Sequence, residues 1–174
     1  MKFTKMHGAG NDYVYVDARS EDRDWPELAR RTSDRHFGVG SDGLILIKDS
    51  DVADLRMSMF NADGSEAEMC GNGIRCFVKY AVDRGIVSGG TSSVNVETLA
   101  GIRNIVPVTE DGLVTAARVS MGLPIFNPSD VPVALESAGE YGAGPVLEYP
   151  FEMDGHDLPL SFVSMGNPHA VTFI

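Results

Sequence analysis

The sequence predicts an α+β fold in which a mostly antiparallel sheet curls around one long helix. Three observations lead there. Short apolar runs with strand-like alternation alternate with turn signals along most of the first 120 residues. One stretch, Cys70 to Arg84, carries Ile74, Phe77, Val78, Ala81 and Val82 at helical spacing, giving a single apolar stripe. The order is strands, a short helix, strands, a long helix, then strands again. Regular βα alternation, the mark of a parallel sheet, is absent.

Met1 to Lys5 reads as a short strand and His7 to Asn11 as a glycine-punctuated loop, with Gly8 and Gly10 permitting turns. Gly8-Ala9-Gly10 opens like a dinucleotide fingerprint, but the third glycine is missing, so a nucleotide site does not follow. Tyr13 to Ala18 alternates as a strand. Asp24 caps a helix that has Pro26 in its first turn, runs to about Asp34 and ends at Arg35-His36-Phe37-Gly38. His36 reads as structural. Leu44–Lys48 is a continuous apolar strand, and Asp54–Phe60 alternates through Leu55, Met57 and Met59. Asn61-Ala-Asp-Gly-Ser65 is a turn. Beyond the long helix, Gly85 suits the left-handed residue past a helix end. Ser93–Thr98, Ile102–Val108 and Val114–Ser120 read as strands, with turns at Ala100-Gly101 and Glu110-Asp-Gly112.

Near Met121 the composition shifts. Pro124, Pro128, Pro132 and Pro145, with Gly139, Gly142 and Gly144, break up the chain. This places a domain boundary near Arg118: residues 1–117 form a first domain carrying Cys70, and 118–174 begin a second that is incomplete. Leu158–Met165 and Ala170–Ile174 read as its strands.

Bulk properties exclude several function classes. Fourteen basic against 25 acidic residues leave a formal charge of −11, which argues against a nucleic-acid or anionic-membrane partner. No apolar run approaches the ~20 residues that span a bilayer. The amino terminus starts a strand rather than a secretion signal. Two cysteines are too few for a disulfide scaffold, which fits a reducing cytoplasm.

Chemistry points to the opening of the long helix. Cys70, Gly71, Asn72 and Gly73 occupy that turn. Glycines are poor helix formers, so propensity did not select Gly71 and Gly73. They leave backbone N–H groups uncovered where helices bind anions, and the same electropositive end favours a thiolate over a thiol. A thiol and an anion cradle on one turn suggest chemistry on a carboxylate-bearing substrate. A free cysteine is otherwise a small buried hydrophobe, and that reading fits Cys76. Six residues along a helix is about 240° of rotation, so Cys76 faces away from Cys70.

The run Met69-Cys70-Gly71-Asn72-Gly73-Ile74-Arg75-Cys76 resembles the first cysteine motif of the diaminopimelate epimerase family. His7-Gly-Ala-Gly-Asn-Asp-Tyr13 resembles that family's amino-terminal substrate loop, and Gly166-Asn-Pro-His169 its later Asn-Pro-His loop. Gly38–Gly43 and Phe60–Gly64 sit in family order and spacing, so the resemblance runs from Met1 to Ile174. It implies the family's fold, a curled sheet around a central helix with a truncated second domain of the same kind. It also implies cofactor-free, metal-free epimerisation of LL- to meso-diaminopimelate, in a homodimer, in lysine and cell-wall precursor synthesis. Inverting an α-carbon calls for a base on one face and an acid on the other, and a thiolate–thiol pair suits both roles. The resemblance makes Cys70 one of the pair. Gly71 and Asn72 amides would hold the α-carboxylate, Asn11, Asn61 and Asn167 would orient ammonium and carboxylate groups, and His169 would tune the thiol. Read without the resemblance, His169 is a histidine after the rigid Pro168.

The family's second cysteine lies in a later Ala-Cys-Gly-Thr-like segment after a Glu-Arg pair, and neither occurs in these 174 residues. Residues 1–174 alone are therefore expected not to epimerise. Two other readings stand beside this one: a non-catalytic carboxylate-binding fragment, and a related cofactor-independent amino acid racemase. A metal or redox module built on Cys70, Cys76, His7 and His169 lacks any Cys-x-x-Cys or His-x-x-x-His spacing. No lysine sits in a recognisable pyridoxal phosphate context.

Overall fold

The computed structural model describes residues 1–131, 133–135, 144–166 and 168–173. The chain divides into two compact units, Met1–Ser120 and Met121–Ile174. The break follows Ser120 because Arg118 and Val119 still pair with the preceding strand.

The first unit contains β1 (Thr4–Gly8), β2 (Asn11–Asp17), α1 (Trp25–Ser33), β3 (Gly43–Lys48), β4 (Leu55–Asn61), β5 (Glu66–Ala67), α2 (Gly71–Asp83), β6 (Val94–Thr98), β7 (Gly101–Glu110) and β8 (Leu113–Val119). The strands form one sheet in the order β1-β2-β3-β4-β6-β7-β8, with β5 added to β4. Only β2–β3 and β4–β6 are parallel; the other neighbours are antiparallel. Strands β1 and β8 lie at opposite ends of that order, yet both pack on α2. The sheet is therefore curled, with α2 in its concave side.

Alternation along the central strands assigns a helix to each face. Val14, Val16, Leu44 and Leu46 join Trp25 and Ala29 of α1 in one buried cluster. The intervening Tyr15 and Ile45 meet α2 at Gly73. A strand covered on both faces has no solvent side, which is why Leu44–Lys48 reads as an unbroken apolar run. Helix α1 starts as expected, with the Asp24 side chain accepting from Glu27 N. Helix α2 carries the expected buried stripe, and its end is a Schellman turn: Gly85 (φ 69°) donates to Val82 O and Ile86 to Ala81 O.

Several boundaries differ from expectation. The first strand is Thr4–Gly8 rather than Met1–Lys5, and His7–Asn11 is not a loop. Its turn is only Ala9-Gly10, with φ of 55° and 88°, and His7 pairs with Asp12 across the hairpin. Both turn residues take positive φ, as a two-residue turn matching the strand twist requires. A single glycine beside alanine signals that turn poorly. Strand β5, two residues long, had no readable period.

The second unit contains β9 (Tyr149–Met153), β10 (His156–Ser164) and β11 (Pro168–Val171), an antiparallel sheet in the order β11-β10-β9. Val131, Val146 and Phe162 form its small core. Strand β9 was not anticipated, and β10 and β11 each start two residues earlier than expected. Pro168 and His169 thus lie in a strand, His169 opposite Val163, rather than in a loop. Among the described residues, no helix is long and apolar enough to cross a membrane.

Candidate functional site

Cys70 is the N-cap of α2, in extended backbone (φ −131°, ψ 120°). Its sulfur takes the place a serine or aspartate oxygen usually fills, accepting from Gly73 N at 3.4 Å. The thiol is half-buried. It also donates to Asn11 Oδ1 at 3.2 Å, across 59 residues of sequence. The sulfur thus has a donor on one side and an acceptor on the other, and can hold either a proton or charge.

Close packing fixes this turn against the sheet. A Cβ on Gly73 would sit 2.7 Å from Ile45 Cδ1 and 3.5 Å from Cys70 Cβ. A side chain at 73 would thus have to displace the end of Ile45 on β3, a close approach the sequence did not suggest. Tyr15 Oη donates to Gly73 O at 3.0 Å in the buried interior. A Cβ on Gly8 would lie 2.9 Å from Asn72 O, so the β1–β2 hairpin sits directly on the helix opening. Asn72 Oδ1 accepts from Arg75 Nη2 at 2.6 Å.

Asn11 is held from behind. Its Nδ2 donates to Asp42 Oδ2 at 2.5 Å, and Asp12 N donates to the same oxygen at 3.0 Å. Arg35 Nη2 bridges Asp42 Oδ1 (2.9 Å) and Asp12 Oδ1 (2.8 Å). The Arg35 guanidinium, seconded by Lys5 against the opposing effect of burial, holds the Asp12 carboxyl well below its ordinary value. Tyr13 lies beside Asn11 and Cys70, and burial, then its hydrogen bond to Cys70, push its hydroxyl well above the ordinary 10.0.

Asn61 ends β4 and closes its turn on Ser65, accepting Gly64 N and donating Nδ2 to Ser65 Oγ at 3.0 Å. Register puts Asn61 opposite Gly43 and Gly43 beside Tyr13, one row across three strands. Cys70, Asn11, Gly71, Asn72 and Asn61 therefore share one region of the first unit. Asn167 lies outside the described residues. His169 is exposed on β11 in the second unit. Cys76 is 8% exposed, and burial pushes its thiol up, with Tyr15 pulling the other way. It lines a separate cleft of about 370 Å³ with His7, Gly8, Arg75 and Lys79. Among the described residues, no cluster of three His, Cys, Asp or Glu could hold a metal.

Sequence reasoning assigned no role to Tyr13, Tyr15, Arg35 or Asp42. Their partners are distant in the chain: Asp42 is 31 residues from Asn11, and Tyr15 is 58 from Gly73. The one available signal was an acidic residue standing immediately before an unbroken apolar strand.

A family model described as diaminopimelate epimerase matches residues 3–126. A diaminopimelate epimerase from Acetivibrio thermocellus is 50% identical over 175 residues, covering 100% of this chain and 60% of that protein. One from Methanococcus maripaludis is 49% identical with the same coverage. The chain thus spans about 60% of the length of the curated relatives it matches. Among solved structures, a hydroxyproline epimerase from Agrobacterium vitis superposes with a TM-score of 0.69 at 14% identity, over 98% of this chain and 50% of that one. A phenazine biosynthesis protein of the PhzF family from Bacillus anthracis gives 0.62 at 21% identity, over 99% and 56%. At these identities the likeness is one of fold.

Proposed function

Because the chain belongs to the diaminopimelate epimerase family, we propose that it supplies the first-cysteine part of a cofactor-independent epimerase interconverting LL- and meso-2,6-diaminopimelate. The observation that carries this is the Cys70 sulfur, set at the head of a buried helix between the Gly73 amide and the Asn11 oxygen. In one direction a Cys70 thiolate takes the α-proton, and a second thiol returns a proton to the opposite face. In the other, Cys70 gives its proton and the second sulfur takes the substrate's. Each turnover exchanges the protonation states of the two sulfurs. The amides of Gly71 and Asn72 suit an α-carboxylate, whose negative charge grows as the α-carbon loses its proton. Asn61 and Asn167 orient the amino and carboxylate groups, Asn11 accepts from the ammonium through its oxygen, and His169 tunes the electrostatics. The first unit serves as the first of two epimerase-type domains, in a cytoplasmic homodimer that makes lysine and cell-wall precursors.

The second sulfur is not available within residues 1–174, since Cys76 is buried on the same helix. A polypeptide of these residues is expected not to turn over. Deuterium incorporation at the α-carbon of diaminopimelate in heavy water reads this directly. Exchange by residues 1–174 at the rate of a complete epimerase would overturn the two-thiol scheme. In a complete enzyme carrying this chain, Cys70→Ala should abolish exchange, and retained exchange would remove Cys70 from the mechanism.

A further inference from the structure

The chain Arg35–Asp42–Asn11–Cys70 joins a surface ion pair to the reacting sulfur through three consecutive contacts. Its chemistry has a direction. A carboxylate only accepts hydrogen bonds, so the Asn11 group facing Asp42 Oδ2 must be its NH2. The carboxamide oxygen is then turned to Cys70, where it also only accepts. The hydrogen in the Asn11–Cys70 contact must come from sulfur.

We propose that Asp42, anchored by Arg35, is a positioning residue that fixes the Asn11 carboxamide with its oxygen toward Cys70, where it accepts the thiol hydrogen. A thiolate at this position would face the Asn11 oxygen at 3.2 Å with no hydrogen between them. Rotating the carboxamide would offer its NH2 to the sulfur, but would aim its oxygen at the Asp42 carboxylate. Asp42 cannot readily turn away. Oδ2 also accepts Asp12 N, Oδ1 is held by Arg35, and its backbone N–H donates to Asp12 O at 2.7 Å.

The other titratable groups near Cys70 are Tyr13 and Tyr15 from β2 and Cys76 from its own helix. The Tyr13 hydroxyl hydrogen-bonds both Cys70 and Asn11, and it is left in place in every variant below. The proposal rests on Cys70 being the reacting thiol, but its test reads the thiol without turnover, so the two readings fail separately.

The test is the pH profile of Cys70 alkylation by iodoacetamide in the 174-residue chain, read by mass spectrometry of the Cys70 peptide. Asp42→Asn removes the group that dictates the carboxamide's orientation. Cys70 should then alkylate about fivefold faster at pH 7, the worth of one hydrogen bond, with its profile moved to lower pH. The same substitution also removes a charge, and a double-mutant cycle separates the two effects. In an Asn11→Ala background, adding Asp42→Asn should move the profile only by the effect of the lost charge, clearly less than with Asn11 present. No acceleration in Asp42→Asn, or an equal acceleration without Asn11, overturns the proposal. Should Asp42→Asn fail to fold, Raman spectroscopy of the unmodified chain decides. The Cys70 S–H stretch, assigned by its loss in Cys70→Ser, should sit at a hydrogen-bonded frequency and move in Asn11→Ala. An unbonded frequency in the unmodified chain overturns the proposal.

Discussion

Tyr15→Phe tests how the sheet holds the helix opening, and the structure gives its size and its pH dependence. The Tyr15 side chain is fully buried, and its hydroxyl donates to Gly73 O. Gly73 lies in the first turn of α2, so its carbonyl keeps a helical partner when the hydroxyl is removed. The loss is then one net hydrogen bond, about 1 kcal/mol, without the larger penalty of an orphaned group. Burial, followed by the influence of Cys76, pushes the Tyr15 hydroxyl far above its ordinary 10.0. A raised folded-state value means the stabilisation is fully present below pH 10 and is lost as pH rises above it, because the unfolded chain releases that proton first. One unit above pH 10 the loss is about 1.4 kcal/mol, more than the hydrogen bond contributed. Urea melts of both proteins at pH 7 and pH 11 read this, and every other titration common to the pair cancels. Wild type should be the more stable by about 1 kcal/mol at pH 7, and the Phe variant slightly the more stable at pH 11. An unchanged gap between the two pH values would show that the Tyr15 hydroxyl is not held in a buried, neutral state.

Two further outcomes follow from the same geometry. In the native chain iodoacetamide should label half-exposed Cys70 at least about tenfold faster than buried Cys76, judged by peptide mass spectrometry, and equal rates would mean α2 opens readily. Gly8→Ala and Gly10→Ala separate crowding from backbone strain. At Gly8 the new Cβ meets Asn72 O at 2.9 Å, so thermal melts should show a loss of about 1–3 kcal/mol. At Gly10 nothing lies within 4 Å but φ is +88°, so only about 1 kcal/mol should be lost.

Periodic features were legible in the sequence, and pairwise ones were not. The stripe of α2 and the Asp24 cap follow from residues within four positions of one another, and both stand as read. The unbroken Leu44–Lys48 run was legible as a strand, although not that a helix covers each of its faces. The Cys-Gly-Asn-Gly turn was readable as a helix opening, but its close approach to Ile45 was not. Nothing local to Asn11 announces Asp42, nor does anything near Gly73 announce Tyr15. Such contacts depend on register between strands, which a one-residue slip would reverse. The β1–β2 turn failed for a different reason. Ala9 adopts a positive φ that alanine resists, so the local preference is overruled by the pairing of the flanking strands.

Residue 70 itself carries the sharpest contrast between stability and chemistry. Ser, Thr, Asp and Asn lead the ranking of helix caps because a compact oxygen accepts the N2 or N3 amide well. Here sulfur does so at 3.4 Å, a longer and weaker contact. A helix selected only to start firmly would carry serine at this position. The opening is instead held by its surroundings: Tyr15 from β2, Ile45 against Gly73, and the Gly8 hairpin on Asn72. Cys70→Ser changes one atom and keeps both hydrogen-bonding roles, toward Gly73 N and toward Asn11. It should therefore leave the chain as stable as before or firmer by up to about 1 kcal/mol, while removing the thiol. Equilibrium urea unfolding decides the point. A clear destabilisation would mean that the sulfur is there for packing, and that the bland reading of a buried cysteine applies to Cys70 as it does to Cys76.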